Sequence, residues 1–411
     1  MKYTFAETFV GAGGAHIGFK SKGFKSVYAI DIDENSIKTL LYNNQELEKE
    51  CVVDIKNILE LNSESVLKRT GLKIGDLDVL FGGIVCKGFS LAGERSPNDE
   101  RNYFYHKQLE IVEVLRPKIS IIENVKGILN AKVIAYNAPD KVKAEVDELW
   151  QKLEDFKGKK AHLRKTGHIT EEFNNYGLEL KSNKTEMIRT LEDNNYLISV
   201  VDEIKELYEK IGYKFYIKTL NSSSYGAATK RERVIMVALR NDIKYDFSFP
   251  EITHSDVDNS LLNIINVENA LNSIEKREHD IDNLPMKHNE KTLRRFKFIP
   301  QGKNIIDVLD ELPEDLKISA FYSRGNTMRL DPKKPSPTLV PGHSNFPIHP
   351  YEDRSITVRE AAVITGFPND YRFFGSHTKR CELVGNAVPP KLSEAIAEKC
   401  IEVLNFHYQL K

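Results

Sequence analysis

The chain has 411 residues, 40% of them hydrophobic, with 59 Lys and Arg against 60 Asp and Glu. That length accommodates one large and one small domain, and the near balance of charge excludes a global positive field, so any nucleic-acid contact must come from a local patch. Four scattered cysteines (51, 86, 381 and 400) and the lack of any run of eighteen apolar residues point away from disulfide scaffolds and membrane spans, and toward a cytoplasmic protein.

In chain order, short β-rich runs at 3–10, 27–30, 51–55, 77–81 and 118–125 alternate with amphipathic stretches, the pattern of a parallel sheet with crossover helices. Residues 102–115 carry apolar positions at helical spacing and stop before Pro117. The expected class is therefore α/β, doubly wound. From 131 to 205 the texture becomes charged and helical without a strand signal, as in an insertion that includes the basic run KGKKAHLRK. Strand character returns at 213–220 and 234–239. Residues 241–375 are richer in Pro, Asn, Ser and His, and a closing helix is predicted over 391–406. The domain reading is 1–248 with 376–411 as one domain and 249–375 as a smaller second one.

Several chemically distinctive residues fall at predicted strand ends. In TFVGAGGAHIGF, Gly11, Gly13 and Gly14 sit where the first strand turns into a helix, and glycine there lets backbone approach a ligand. Asp31 follows at the second strand's end, placed for ribose hydroxyls, and Asp54 at the third, placed for an adenine amino group. The spacing is not the full dinucleotide fingerprint. Cys86 lies in the glycine-flanked loop GGIVCKGFS after the fourth strand. Glu123 closes the fifth, and Lys230-Arg231-Glu232-Arg233 opens another. Taken singly, these are a tight turn, solvated strand ends, an inert buried thiol, a capping carboxylate and a solvated charge run. Taken together on one sheet edge, they describe a nucleoside site beside a nucleophile.

In this order, FVGAGG, AIDID, VVDI, GGIVCKGFS, IIENV, YGAATKRERV, TVREAAVITGFP and LVGNAVPPKL resemble the motifs of the cytosine-5 DNA methyltransferases, prokaryotic modification type, over nearly the whole chain. Residues 131–205 and much of 250–325 lie outside them. The resemblance implies a Rossmann-like methyltransferase fold with a target-recognition domain, and S-adenosyl-L-methionine as cofactor with S-adenosyl-L-homocysteine as product. Under it, Phe9, Gly11, Gly13 and Gly14 hold the methionine and nucleoside portion, Asp31 the ribose, Ile32 the adenine face, and Asp54 with Ile55 the adenine edge. Gly83 lines the cofactor, and Asn386 and Val388 close over it. Cys86 attacks C6 of a flipped-out cytosine, Glu123 holds N3, Arg233 sits beside Glu123 and the base carbonyl, and Arg231 helps to position the base. Double-stranded DNA is the implied partner and a restriction endonuclease acting on the same site a second one. No metal is implied, and a monomer is favoured although nothing in the sequence speaks to the oligomeric state.

The chain departs from that pattern at two places. Val85-Cys86-Lys87 stands where the family carries Pro-Cys-Gln, and Ala228-Thr229 where it carries Pro-Gln. Val85 leaves the nucleophile loop less restrained than proline would. An ammonium at Lys87 lowers a neighbouring thiol below its free pKa of about 8.5. For DNA, the basic stripe 287–303 carries Lys287, Lys291, Arg294, Arg295, Lys297 and Lys303 against Glu290, with Arg324 and Arg329 as further candidates. Lys157, Lys159, Lys160, Arg164 and Lys165 of the insertion either extend that footprint or form a solvated helical face. Rival readings are a tRNA cytosine-5 methyltransferase, a catalytically silent DNA-binding relative, which the two departures permit, and a nicotinamide-dependent oxidoreductase. The long region before TVREAA favours a duplex reader over the first. Intact Cys86, Glu123 and Arg233 speak against the second.

Overall fold

A computed structural model describes residues 3–84, 96–98, 104–135, 138–167, 169–275, 277–318, 327–340 and 346–409. The chain divides into two compact units, one of 1–83, 110–123 and 214–411, the other of 84–109 and 124–213. Among the described residues the strands are β1 (Thr4–Thr8), β2 (Lys25–Asp31), β3 (Val52–Ile55), β4 (Val79–Gly83), β5 (Ile119–Asn124), β6 (Lys132–Ile134), β7 (Leu197–Ser199), β8 (Tyr213–Asn221), β9 (Thr229–Lys230), β10 (Glu232–Arg240) and β11 (Ser336–Pro337).

The first unit is built on a mostly parallel seven-stranded sheet of order β3-β2-β1-β4-β5-β10-β8. Strands β4 and β5 are buried along nearly their whole length, as apolar runs covered on both faces must be. The chain moves outward from β1 through β2 to β3, then returns to β4 on the other side of β1. The strand order thus reverses at β1, and ligands of open α/β sheets bind outside the carboxyl ends at such a point. Register brings those ends level: Thr8 pairs with Ile30 and with Gly82, Ile30 with Asp54, and Gly83 with Glu123.

One core cluster joins Phe5, Phe19 and Phe81 to Leu392, Ile396 and Val403 of the closing helix Pro390–Gln409. A second gathers Ala12 with Val358, Phe367, Tyr371, Phe373 and Leu383. The helix Val358–Thr365 at its centre is buried throughout. Thr357 and Glu360 cap it reciprocally, and Gly366 ends it at a φ of 98°, where a side chain would be strained.

The second unit contains two long helices, Asp140–Thr166 and Glu171–Asp193. Trp150, Leu153 and Phe156 of the first share a core with Leu180 and Leu191 of the second. Gly177 makes this contact possible, because a Cβ there would lie 2.3 Å from the Phe156 ring. Contrary to the strand-free texture read for 131–205, β6 and β7 form an antiparallel pair with Lys132 opposite Ser199 and Ile134 opposite Leu197. Three residues are too few for a two-residue period to show.

Candidate active site

Phe9 and Gly11 take positive φ (55° and 54°) immediately after β1, and Gly13, at 77°, caps the helix Gly14–Ser21. Asp31 anchors this loop, accepting from the Gly11 backbone N–H at 2.8 Å and the Asp33 N–H at 2.9 Å. Burial pushes the Asp31 carboxyl up, against those two N–H groups, which favour its charged form. A Cβ on Gly11 would meet nothing nearer than the Phe9 carbonyl at 4.0 Å, so the loop is open on that side. Gly13 and Gly14 are closed in by protein instead. A Cβ at Gly13 would lie 2.8 Å from the Tyr371 hydroxyl, and one at Gly14 2.0 Å from the Val388 carbonyl oxygen.

Beyond the loop, Ile32 and Ile55 are 68% and 53% exposed, beside the Asp31 and Asp54 carboxylates. Two exposed isoleucines next to hydrogen-bonding acids are costly for a bare strand edge and suited to the faces and edge of a purine nucleoside. Burial works against ionisation of Asp54, but hydrogen bonds from Arg69 and Tyr28 hold its carboxyl below the ordinary range. These residues fit a nucleoside-bearing methyl donor.

At the carboxyl end of β5, Glu123 is 5% exposed and faces Gly83 of β4. Arg233 Nε lies 2.8 Å from its Oε1. Burial raises the Glu123 carboxyl, while the charges of Arg233 and Arg231 pull the other way. The net effect is a rise above the ordinary glutamate value. Arg231, also buried, donates from Nη1 to the Gly385 carbonyl at 2.7 Å. It therefore ties the strand of Arg233 to the segment carrying Asn386, which is exposed, and Val388, which packs on Gly14. Cys86, with Val85 and Lys87, lies outside the described residues.

A profile of the family described as C-5 cytosine-specific DNA methylase matches residues 3–155 and 185–402. The chain belongs to that family. This C-5 cytosine methylase is similar to the type II methyltransferase M.DdeI of Desulfomicrobium norvegicum, 26% identical over 96% of this chain and 87% of the relative. It is similar also to M1.HphI of Haemophilus parahaemolyticus, 26% identical over 98% of this chain and 88% of the relative. Among solved structures, an E. coli prophage protein described as a DNA modification methyltransferase superposes with a TM-score of 0.65 at 20% identity, covering 98% of this chain and 100% of that one. A DNMT2 variant of Spodoptera frugiperda does so at 0.53 and 15%, covering 97% and 100%. Both share the fold. Membership makes the chain a DNA methyltransferase that requires a methyl donor and takes DNA as substrate. No helix among the described residues is long and apolar enough to cross a membrane.

Four residues in contact with these candidate groups, or electrostatically coupled to them, escaped sequence reasoning. Tyr28 and Arg69 bind Asp54, and Tyr371 donates to the Ala12 carbonyl at 2.7 Å inside the glycine loop. Glu7, in the middle of β1, is buried with Oε2 unpaired among the described residues, and its carboxyl is raised well above the ordinary value by burial and then by Asp31. Of the four, Glu7 alone left a trace in the sequence, an acid inside an apolar central strand.

Arg329 is not available to bases or phosphates. It is 6% exposed and donates to the carbonyls of Phe296, Ile299, His349 and Glu352 and to Asp353. A guanidinium has five donors in a rigid fork, and here they knit irregular backbone together. In the basic stripe, Arg294 pairs with Asp315 and Arg295 donates to the Leu316 carbonyl. Lys287, Lys291, Lys297 and Lys303 make no ion pair among the described residues. Arg324 lies outside them. At the Ala228-Thr229 departure, the Ala228 carbonyl accepts from the Ser336 N–H at 2.8 Å, and β9 pairs with β11 in parallel.

Proposed function

We propose that the chain transfers a methyl group from S-adenosylmethionine to C5 of a cytosine within a short duplex sequence, through a covalent bond from Cys86 to C6 of a flipped-out base. The observation that carries this reading is the buried Glu123–Arg233 pair beside Gly83, at the switch point and next to the open glycine loop. S-adenosylmethionine supplies an activated methyl group. Phe9 and Gly11 border its amino-acid and nucleoside parts, while Gly13 and Gly14, packed against Tyr371 and Val388, shape the turn into the helix behind them; Asp31 takes the ribose hydroxyls, Ile32 the adenine face, and Asp54 with Ile55 the adenine edge. Gly83, close to the Phe9 carbonyl, is assigned to line the cofactor, and Asn386 and Val388 to close over it.

C5 of cytosine is a poor nucleophile until a thiolate adds at C6, and that is the role assigned to Cys86. Glu123 donates its proton to N3 as charge develops there, and its raised affinity for that proton suits the task. Arg233 holds Oε1, which leaves Oε2 to the base. Arg231 fixes the Gly385–Val388 segment and adds positive charge near Glu123. A base then removes the C5 proton and the thiolate leaves. Flipping costs a few kcal/mol of unstacking, offset by DNA contacts. Residues 249–375 are assigned to target recognition, with Lys287, Lys291, Lys297 and Lys303 on phosphates. A restriction endonuclease sharing the sequence would be its functional counterpart.

The test is conversion-based sequencing, with nucleoside mass spectrometry, of DNA from a methylation-free host expressing the wild type or Cys86→Ser. We expect 5-methylcytosine within one short sequence, in the wild type only. Its absence from DNA, with the protein folded and S-adenosylmethionine bound, would refute the reading and turn attention to RNA.

A further inference from the structure

Asp54 is held by more of the protein than an acceptor for an amino group needs. Arg69, in the last turn of the helix Ser63–Thr70, donates from Nη1 to Oδ2 and from Nη2 to Oδ1, each at 2.8 Å. The Tyr28 hydroxyl, reaching across from β2, donates to Oδ2 at 2.7 Å. Lys56 stands 3.6 Å from Oδ2, an ion pair beyond hydrogen-bond reach. An ionised carboxylate offers about four acceptor positions, two on each oxygen. Oδ2 is filled by Arg69 and Tyr28, and Oδ1 has taken a single donor, so one position remains, on Oδ1. The pair lies beside exposed Ile55.

We propose that Arg69 is a positioning residue for the nucleobase: with Tyr28 it occupies three of the four acceptor positions of Asp54, leaving one on Oδ1 for an exocyclic amino group. The site thereby selects a 6-amino purine over a 6-oxo purine. A 6-oxo group would present an oxygen to a carboxylate. Among the described residues, the two Arg69 N–H groups that face Asp54, one on each terminal nitrogen, are engaged with it rather than with the base. Arg69 touches neither the reacting carbon nor the methyl group. Its effect runs through the orientation of Asp54, which without the fork could turn about its own side-chain bonds. This inference rests on the proposed S-adenosylmethionine site.

The experiment is calorimetric binding of S-adenosylhomocysteine and of S-inosylhomocysteine, which carries a carbonyl at C6, to the full chain. Wild type, Arg69→Met, Arg69→Lys and Tyr28→Phe are compared, with thermal melts as a check of folding. The wild type is expected to prefer the adenosyl ligand by more than about tenfold, as a site built around a hydrogen bond does. Arg69→Met should weaken adenosyl binding by about tenfold, the worth of one charge-assisted hydrogen bond, and inosyl binding by less than about threefold. Arg69→Lys should restore only part, since an ammonium does not bridge two oxygens. Equal losses for both ligands, or an unchanged ratio in Arg69→Met, would overturn the proposal. A folded wild type that binds neither ligand would overturn the cofactor reading itself, an outcome distinct from a lost preference. Tyr28→Phe separates the two partners: a loss as large as that of Arg69→Met would assign the orientation to Tyr28 and overturn the role given to Arg69.

Discussion

Replacing Arg233 by Met tests the electrostatics on which the site depends. The side chains of Arg233 and Glu123 are 9% and 7% exposed, so solvent screens their contact little, and the substitution leaves a buried carboxyl without its cation. Stranding one partner of a buried pair costs about 3–5 kcal/mol while the survivor stays charged. Glu123 escapes part of that by taking up a proton. Its folded pKa is already raised, so the stability it contributes is full below the ordinary glutamate range and is lost as pH rises through the folded value. Without the Arg233 charge that value moves higher still, and the loss is completed only at higher pH. Urea unfolding of wild type, Arg233→Met and the double variant Arg233→Met with Glu123→Gln, at pH 5 and pH 8, reads this directly. The single variant should approach the full cost at pH 8 and a minor fraction of it at pH 5. The double variant should recover part of the loss at pH 8, having no charge to strand. A loss of equal size at both pH values, or a double variant less stable than the single one at pH 8, would refute the reasoning.

Glu7 obeys the same sign rule: its carboxyl is raised, so stability due to it is present at acid pH and lost as pH rises, and Glu7→Gln should gain in thermal midpoint relative to wild type between pH 5 and pH 8. A constant difference across that range would count against a buried, protonated Glu7. Gly14→Ala drives a Cβ into the Val388 carbonyl, a backbone atom that cannot rotate away, and should lower the thermal midpoint by the equivalent of about 1–3 kcal/mol while weakening S-adenosylhomocysteine binding. Unchanged stability would show that the closing segment is free to move. Lys291→Gln, Lys297→Gln and Lys303→Gln together should weaken binding to cognate and unrelated duplexes alike and reduce the slope of log affinity against log salt by about three. A slope that does not change would remove the stripe from the DNA surface.

Much of the architecture was legible in the chain's one-dimensional pattern. The alternation of apolar runs with amphipathic stretches located β1 to β5 to within about two residues, most plainly for β4 and β5, which are covered on both faces and so carry long apolar runs. Glycine at 11 and 13 announced backbone of positive φ, which side chains resist. Acids expected at strand ends, Asp31, Asp54 and Glu123, do stand together at the carboxyl edge of the sheet, where parallel sheets open to ligands. Short strands such as β6 and β7, and the small ladder of β9 with β11, left no signal, since their partners stand more than sixty residues away.

Local sequence determined which residue types stand at the carboxyl edge of the sheet, and in what order, because hydrophobic period and glycine placement act over a few residues. Only the tertiary structure decided what each charge is for. Arg329, read as a DNA contact, binds five backbone and carboxylate groups between residues 296 and 353. Arg69, in an unremarked helix, holds Asp54, and Arg231 fastens strand β10's approach to the closing segment. The physical reason is that a guanidinium reads the same in sequence whether it faces water, phosphate or a carbonyl, and its partners are chosen by packing across long stretches of chain.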